Sequence, residues 1–540
     1  MAITLTQFVS KKRMVGIGND QVWYEDFDMP GEFVVLTDSI DDIDTSDQLQ
    51  IFECNQKGFV VNGDNLYVID LMNSKITTDD IKPSEKEYPE RGIEITGVTS
   101  GAKMIIDFCS ASDGSASVYG YRHTEATFSS GETVTGTNTV SGGSVSFELN
   151  AAEVGPPHWY SWTVYANDSV YGEMPTKAYL GCSYCGSAVL AGDPKFPERW
   201  YMSRQDNPFD WLYTANDAQS AISGKDINAE DIGDIGRSLI PIRDDYLIFG
   251  CASSLILIRG RPASGGSINQ ITKLTGIFGD KSWCFDGYRN IFFWGANGLY
   301  KLSSDFAALD CISEKLLPNL VKNESVNPET HRVTLEYDRA ANGINICITL
   351  LSDGTNSNYF YDLLTEGFFP HAYPTVCGAY SQFYYSANNP DYKGLLLGCA
   401  DGYVRYFDES AKNDDVTVGT QPIDSYLTII FPLWENEDYE GILQKLNIII
   451  SGGASDGEFT DSDQLSYALY TGNNAETVLE NIIDGATPFL TGTWTTVGKQ
   501  NRLLPRMRGC WAGIKLYDNT ASKSWSVEKM YGDIKKKGRM

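Results

Sequence analysis

The sequence predicts an all-β protein, and three observations predict it. Short runs rich in Tyr, Phe, Val and Ile recur along the chain, each ended by Gly, Asn, Asp or Ser. Several of these runs come in pairs around a Gly-containing turn. Amphipathic stretches of helical period and useful length are nearly missing. The chain has 540 residues, 42% hydrophobic and 12% aromatic, which is ordinary globular composition and enough for more than one domain.

In chain order the clearest paired runs are FVVNGDNLYVID (Phe59–Asp70), YLIFGCASSLILIRG (Tyr246–Gly260), NIFFWGANGLYKLSS (Asn290–Ser304) and GLLLGCADGYVRYFD (Gly394–Asp408). In each, an apolar strand runs to a tight turn whose Gly or Asn tolerates positive φ, and a second strand returns with alternating apolar and polar side chains. Two weaker units, HRVTLEYDRAANGINICITLLS (His331–Ser352) and NYFYDLLTEGFFPH (Asn358–His371), fill the longest gap. Such hairpins have one good apolar face and must stack on neighbours. Repeated four-stranded sheets are the unit of a β-propeller, where radial packing protects the edges of short strands. A β-propeller body is therefore expected, with a β-sandwich as the competing arrangement because the spacing is irregular.

Composition divides the chain further. Residues 1–95 are expected to supply N-terminal propeller strands and an acidic loop. Residues 96–172, rich in Ser, Thr and Gly with alternating apolar positions, read as an inserted small β-sandwich-like domain. Insertion at a loop disturbs a radial sheet array little. Residues 173–420 read as the remaining blades. Residues 421–540, with PIDSYLTIIFPLW, QKLNIIISGG and QLSYALYTG, read as a C-terminal β module closing the body and ending in the basic tail KKKGR (Lys535–Arg539).

Charge excludes some functions. With 42 Lys+Arg against 71 Asp+Glu the formal charge is -29, which argues against wrapping nucleic acid on a basic surface. The start lacks the apolar core of a secretory leader and no apolar run is long enough for a membrane span, so neither fate is expected. Eleven cysteines is an odd number, and a reducing compartment is the simpler expectation.

Candidate sites for chemistry are weak. Asp38, Asp41, Asp42, Asp44 and Asp47 crowd one segment, DSIDDIDTSD, but the Gly and terminal Glu of a calcium loop are missing at the required offsets. The segment is a candidate channel or tip loop, with a solvated acidic loop as its plain alternative. SGGASDGEFTDSD (Ser451–Asp463) likewise fails to complete a calcium motif. Cys182 and Cys185 form a lone CxxC far in sequence from His123, His158, His331 and His371, and zinc normally takes four ligands. GRPASGGS (Gly260–Ser267) lacks the lysine of a phosphate loop, and no nucleophile elbow of the form GxSxG supports a hydrolase. No catalytic residue, metal or cofactor is expected, and the chain is not expected to be an enzyme. A glycan-binding or glycan-degrading all-β protein remains the alternative from another class.

The stretch RWYMSRQDNPFDW (Arg199–Trp211) carries the most information. Its aromatic side chains suit the closing of a blade edge, and Asn207-Pro208 suits a turn. It resembles the element of the tail nozzle, or tail tubular, proteins of short-tailed bacteriophages, which have a β-propeller body, where an aromatic pair and a Ser are followed by Pro-x-x-Trp. Ile240–Gly260, Thr272–Asp305, Asn358–Pro370, Gly394–Glu409 and the end of the chain from Met507 resemble successive parts of the same family. The resemblance runs in order over 175–540 and more loosely over 1–90.

The resemblance implies a virion structural protein of the tail, assembled in the host cytoplasm into a homo-hexameric ring that conducts the genome during ejection. Partners would be copies of itself, adaptor or portal-side tail proteins, and tail fibres or spikes, with double-stranded DNA passing transiently and without specific binding. Acidic walls repel phosphate, which suits a conduit. It implies structural roles for Trp200, Pro208 and Trp211 in blade closure, for Gly298 and Gly402 at turns, and for Trp525 in the last strand. Another tail hub or a head-to-tail connector is the alternative within the same particle.

Overall fold

The computed structural model describes residues 1–5, 11–26, 29, 31–40, 42–63, 65–81, 88–112, 115–163, 171–172, 174–224, 232–408, 411–416, 419–434, 439–451, 464–496 and 500–539. The fold is all-β, and the chain forms two compact units: Met1–His371 with Gly378–Tyr406, and Ala372–Cys377 with Phe407–Met540.

Among the described residues the first unit holds seven small antiparallel sheets and one larger inserted sheet. Sheet 1 runs Ala2–Leu5, Lys11–Gly18, Gln21–Glu25 and Phe33–Val35. Sheet 2 takes Gln50–Cys54, Lys57–Asn62 and Asn65–Asp70, then recruits His158–Ser161 as its fourth strand. Sheet 3 spans Leu180–Tyr184 to Ile222–Ser223, sheet 4 Gly236–Ile242 to Ser267–Thr272, and sheet 5 Trp283–Phe285 to Leu309–Cys311. Sheet 6 spans His331–Asp338 to Gly367–His371, and the three-stranded sheet 7 spans Ala379–Tyr385 to Val404–Tyr406.

Each sheet packs on the next. Lys57–Asn62 is buried at every position, because a sheet held between two neighbours buries both faces and its strand reads as one apolar run. Ile3 and Val22 of sheet 1 share a core with Val60 and Ile69 of sheet 2, and Phe52 and Phe59 of sheet 2 share one with Ala188 and Leu190 of sheet 3. Trp200 of sheet 3 packs with Phe249 of sheet 4, Ile248 of sheet 4 with Phe293 of sheet 5, and Phe292 of sheet 5 with Ile346 of sheet 6. Sheets 6 and 7 join through hydrogen bonds: Thr349 Oγ1 donates to Ala379 O at 2.9 Å, and Gln382 Nε2 donates to Thr334 Oγ1 at 2.7 Å. Sheet 7 then meets sheet 1, where the Tyr385 hydroxyl donates to Glu25. The contacts thus form a circuit that returns to its start.

The insert occupies Ser74 to about Val154, between the third and fourth strands of sheet 2. It is one six-stranded sheet in the spatial order Ser144–Glu148, Thr133–Thr137, Glu94–Gly97, Lys103–Ser112, Ser115–Arg122, Ser74–Thr78. Its two ends meet: Asn150 N donates to Thr77 O at 3.0 Å, and Lys75 pairs with Val154. This closed sheet differs from the two-layered sandwich expected over 96–172. Ser74–Thr78 pairs with Ser115–Arg122 and so belongs to the insert, while His158–Ser161 pairs with Asn65–Asp70 and belongs to sheet 2.

The second unit is a β-sandwich. One sheet has the order Ser425–Pro432, Trp511–Asp518, Leu465–Gly472, Leu490–Trp494; the other is built on Tyr439–Ile450, with Val527–Arg539 on one side and Gln500–Leu503 and Met507–Gly509 on the other. Leu446, Ile448, Leu469 and Ile514 fill the space between them. A helix, Ala475–Ile483, is capped by Asn474 Oδ1 accepting Thr477 N at 2.7 Å, and it covers the outer face of the first sheet with Val478 and Ile482. The circuit of the first unit closes through residues before 407, so closure expected of the 421–540 module is carried instead by sheets 1 and 7.

Candidate functional site

The residues expected to close a blade, Trp200, Pro208 and Trp211, fall at the junction of sheets 2, 3 and 4. Phe196–Met202 is the third strand of sheet 3, and strand alternation sends Trp200 toward sheet 4 and Tyr201 toward sheet 2. Trp200 is fully buried. Pro208 presents its carbonyl to Trp162 Nε1 at 3.0 Å, and the Trp211 ring lies 5.8 Å from that of Trp162. Arg261 joins the same junction from sheet 4: its guanidinium donates to Ser203 O at 3.0 Å and Ser220 O at 2.7 Å.

The turn glycines meet two different needs. Gly298 follows the two-residue turn between Gly295 and its pair, has φ +104°, and a Cβ there would lie 2.4 Å from Ser313 Oγ. Gly402 has φ +85° in open space, so the backbone alone requires it. Trp525 lies just before the last strand, Val527–Arg539, rather than in it, and donates Nε1 to Ser425 Oγ at 2.7 Å.

The acidic segment is tied down at several points. Asp41 lies outside the described residues, and Asp38 sits in a single helical turn, Thr37–Ser39. Asp42 Oδ2 accepts Trp159 Nε1 at 3.0 Å, Asp44 Oδ1 accepts Ser46 N at 2.9 Å, and Asp47 Oδ2 accepts the Tyr179 hydroxyl at 2.8 Å. Hydrogen bonds from Ser46 lower the Asp44 carboxyl below its ordinary value. The Ser451–Asp463 segment lies outside the described residues beyond Ser451. Cys182 is buried in a strand, whereas Cys185 with Gly186 forms the positive-φ tip of a hairpin. Among the described residues, no three His, Cys, Asp or Glu side chains come together as a metal site.

Two groupings had no signature in the sequence motifs. The first mounts the insert on sheet 2. A bulge at Asp107 shifts the phase of Lys103–Ser112, so Ile106 and Cys109 face the insert's own core while Phe108 faces outward. Phe108 stacks on Tyr160 at 4.9 Å and meets Phe209 at 4.5 Å. The bulged Asp107 takes an ion pair from Lys57 and another from Arg91 Nε at 2.9 Å, while Asn73 Nδ2 bridges Asp107 and Asp70 at 3.0 and 2.7 Å. Burial opposes ionisation of Asp107, but Lys57 and Arg91 hold its carboxyl down at about 2. Burial likewise opposes the charge on Lys57, and Asp107 and Asp70 more than offset it.

The second grouping lies where the first strands of sheets 2, 4, 5, 6 and 7 meet the second strand of sheet 1. A cavity of about 1090 Å³ is lined from sheets 1, 2, 4, 5, 6 and 7, including Ile17, Gln50, Ile242, Lys281, Glu336 and Gln382. A second cavity of about 470 Å³ is lined by Asp47, Tyr179, Arg237 and Arg332, and Asp280 borders both. Glu336 is half-buried at the wall of the first cavity, and burial pushes its carboxyl up to about 7. Burial, with Arg332 nearby, lowers the Lys281 ammonium to about 8. A cavity of this size with charged side chains at its wall can hold a polar molecule.

No protein-family model matches the sequence, and no curated protein matches it. Among solved structures, a structural-genomics protein of unknown function from Bacteroides thetaiotaomicron VPI-5482 aligns at 10% identity and TM-score 0.26, over 70% of this chain and 90% of that one. Porphyromonas gingivalis dipeptidyl peptidase 4 aligns at 10% identity and TM-score 0.25, over 76% of this chain and 56% of that one. Likeness at that level carries no argument about function.

Proposed function

We propose that the chain is a structural subunit of a bacteriophage tail, with the seven-sheet circuit as a β-propeller body, and that copies assemble into a ring, a hexameric nozzle, through which double-stranded DNA leaves the capsid. The observation that carries the proposal is the return of sheet 7 onto sheet 1, which makes the hairpins legible in the sequence into successive members of one circular array. The segments that resemble the nozzle family fall on successive sheets of that array, Arg199–Trp211 on sheet 3 and its following turn, Ile240–Gly260 on sheet 4, Thr272–Asp305 chiefly on sheet 5, Asn358–Pro370 on sheet 6, and Gly394–Asp408 on sheet 7.

Two further features support it. The insert is fastened by an ion network and an aromatic stack rather than by a free linker, which suits a part that must hold position under load. The formal charge of -29 disfavours adhesion of phosphate to the subunit. Adaptor or portal-side proteins and tail fibres or spikes are the partners such a ring takes, and the tail of the virion is its place.

Sedimentation velocity and negative-stain electron microscopy of the purified chain test the proposal. Closed six-fold rings with a central hole are the expected result. A monomer that releases new reducing ends from host polysaccharide overturns it in favour of a glycan-degrading protein.

A further inference from the structure

The two outer faces of the sandwich in the second unit differ. The helix Ala475–Ile483 covers one of them. The other belongs to the sheet built on Tyr439–Ile450, where Leu446, Ile448, Met530 and Ile534 turn to the core. Strand alternation therefore turns their neighbours outward. Lys445 pairs with Asp533, Asn447 with Tyr531 and Ile449 with Lys529, while on the other side Asn447 pairs with Arg502 and Ile449 with Gln500. Ile442 pairs with Lys535 and Arg508, and these also face outward, because Leu443 beside them joins Ile534 and Met507 in the core. Side-chain contacts agree with this phase: the Lys445 and Lys529 ammonium groups lie 5.9 and 5.4 Å from the Tyr531 ring centre, and Gln500 Nε2 donates to the Tyr531 hydroxyl.

This face is basic and uncovered. Lys445, Arg502, Arg508, Lys529 and Lys535 stand on it, and two anions reach it: Asp533, 3.9 Å from Lys445, and Glu440, paired with Arg508. Arg502, Lys529 and Lys535 make no ion pair among the described residues. All three are exposed, as are Tyr531 and Gln500 between them, so no described element lies over the face. The chain as a whole has a formal charge of -29, and most of its acidic excess lies before residue 407.

We infer that a second copy of this chain docks on the outer face of this sheet, bringing its acidic surface against Arg502, Lys529 and Lys535. Resting on the proposed ring, this docking names one of the two surfaces by which neighbours touch. Charge complementarity selects the occupant: the negative charge that draws one copy to this face repels the phosphates of nucleic acid from the subunit. The centre of the face also suits a protein, since Ile442, Ile449 and Tyr531 set apolar area inside a rim of arginine and lysine. A contact between two different patches is head-to-tail, and such a contact closes into a ring when its rotation allows.

The test compares the purified full-length chain with the double variant Arg502→Glu, Lys529→Glu by sedimentation velocity over a concentration series, at low and at high sodium chloride. Both side chains are exposed, so the variant should keep the thermal midpoint of the unaltered chain. The dissociation constant for self-association should rise about tenfold or more in the variant at low salt, and high salt should weaken the unaltered chain in the same direction. A control with the same change of charge in the first unit, at the exposed Lys315 and Lys322, should associate as the unaltered chain does. Should the double variant not fold, Lys535→Glu alone should weaken association about threefold. Rings that form equally well in the folded variant overturn the docking and leave the ring standing, and an equal loss in the control overturns it as an effect of net charge. An open or two-copy assembly abolished by the reversal supports the docking and overturns the ring. Binding of a fluorescent DNA duplex that the reversal abolishes overturns the docking in favour of phosphate, and a chain that stays a monomer at every concentration overturns both.

Discussion

The Tyr385 hydroxyl donates to Glu25 Oε2 across 2.5 Å, joining two strands 360 residues apart in sequence. Glu25 is buried and also accepts Met14 N at 3.1 Å and Gly31 N at 3.3 Å, so its carboxylate is the anchor on which the circuit ends. Burial and the Glu25 carboxylate raise the Tyr385 hydroxyl well above its ordinary value, which keeps it a donor at any physiological pH. Tyr385→Phe should therefore cost about 1–3 kcal/mol, since a hydrogen bond to a charged group is lost. Hydrogen exchange should quicken in Lys11–Gly18 and Ala379–Tyr385 and not in the sandwich of the second unit. Unchanged protection in both strands would mean that the contact contributes nothing to closure.

The insert's mount makes a second prediction. Removing one member of a buried ion pair leaves the other charge uncompensated, so Lys57→Met should destabilise the first unit by about 3–5 kcal/mol in urea unfolding. Replacing both, Lys57→Met with Asp107→Leu, should recover part of that loss, although Arg91 is then left without its partner. Because the Asp107 carboxyl is lowered to about 2 from an ordinary 3.8, its share of stability is complete above the ordinary value and is lost as pH falls through the lowered one. A double variant no more stable than Lys57→Met would contradict this.

The paired hairpins were legible because their apolar runs and positive-φ turns are local properties of sequence. Gly295 to Gly298 forms its turn within one sheet, and Trp200 declares its burial by its size. The limits of the insert were hidden because Ser74–Thr78 reads as a small continuation of sheet 2, and because HWYS at His158–Ser161 has the same aromatic character as the strands around it. Only pairing across about ninety residues of chain, between Asp70 and His158, assigns the latter. Asp107 appears in the sequence only as a charge in the apolar run MIIDFC, and the bulge that exposes it is seen only in the pairing of Lys103–Ser112 with Ser115–Arg122. Lys281 and Glu336 left less, since a single charge in a turn or a strand is ordinary until several sheets bring such residues to one cavity.

Glu336 gives stability a pH dependence of the opposite sign to Asp107. A carboxyl raised to about 7 from an ordinary 4.5 contributes fully below the ordinary value, and its contribution is lost as pH rises through the raised one. Glu336→Gln, which stays neutral, should raise the thermal midpoint at about pH 8 and change it little at about pH 5. The difference should be on the order of 2 kcal/mol, reduced from the full shift because the side chain meets cavity water. Equal effects at both pH values would show that the carboxyl is not raised.

Trp200 tests the packing between neighbouring sheets. It is fully buried and lies 6.2 Å, ring to ring, from Phe249 of sheet 4. Trp200→Ala should cost about 3–5 kcal/mol, the range for truncating a buried aromatic. Trp525→Ala, in the other unit, should remove a half-buried ring and one hydrogen bond, and so cost less in chemical denaturation.

The most direct measurement is a reconstruction of the assembled protein by electron cryomicroscopy at a resolution that separates strands. The expected density shows, in every subunit of a ring, seven sheets in a circular array with the Tyr385 strand set against the Glu25 strand. Density in which sheets 1 and 7 lie apart, or a particle that is never more than one subunit, would contradict it.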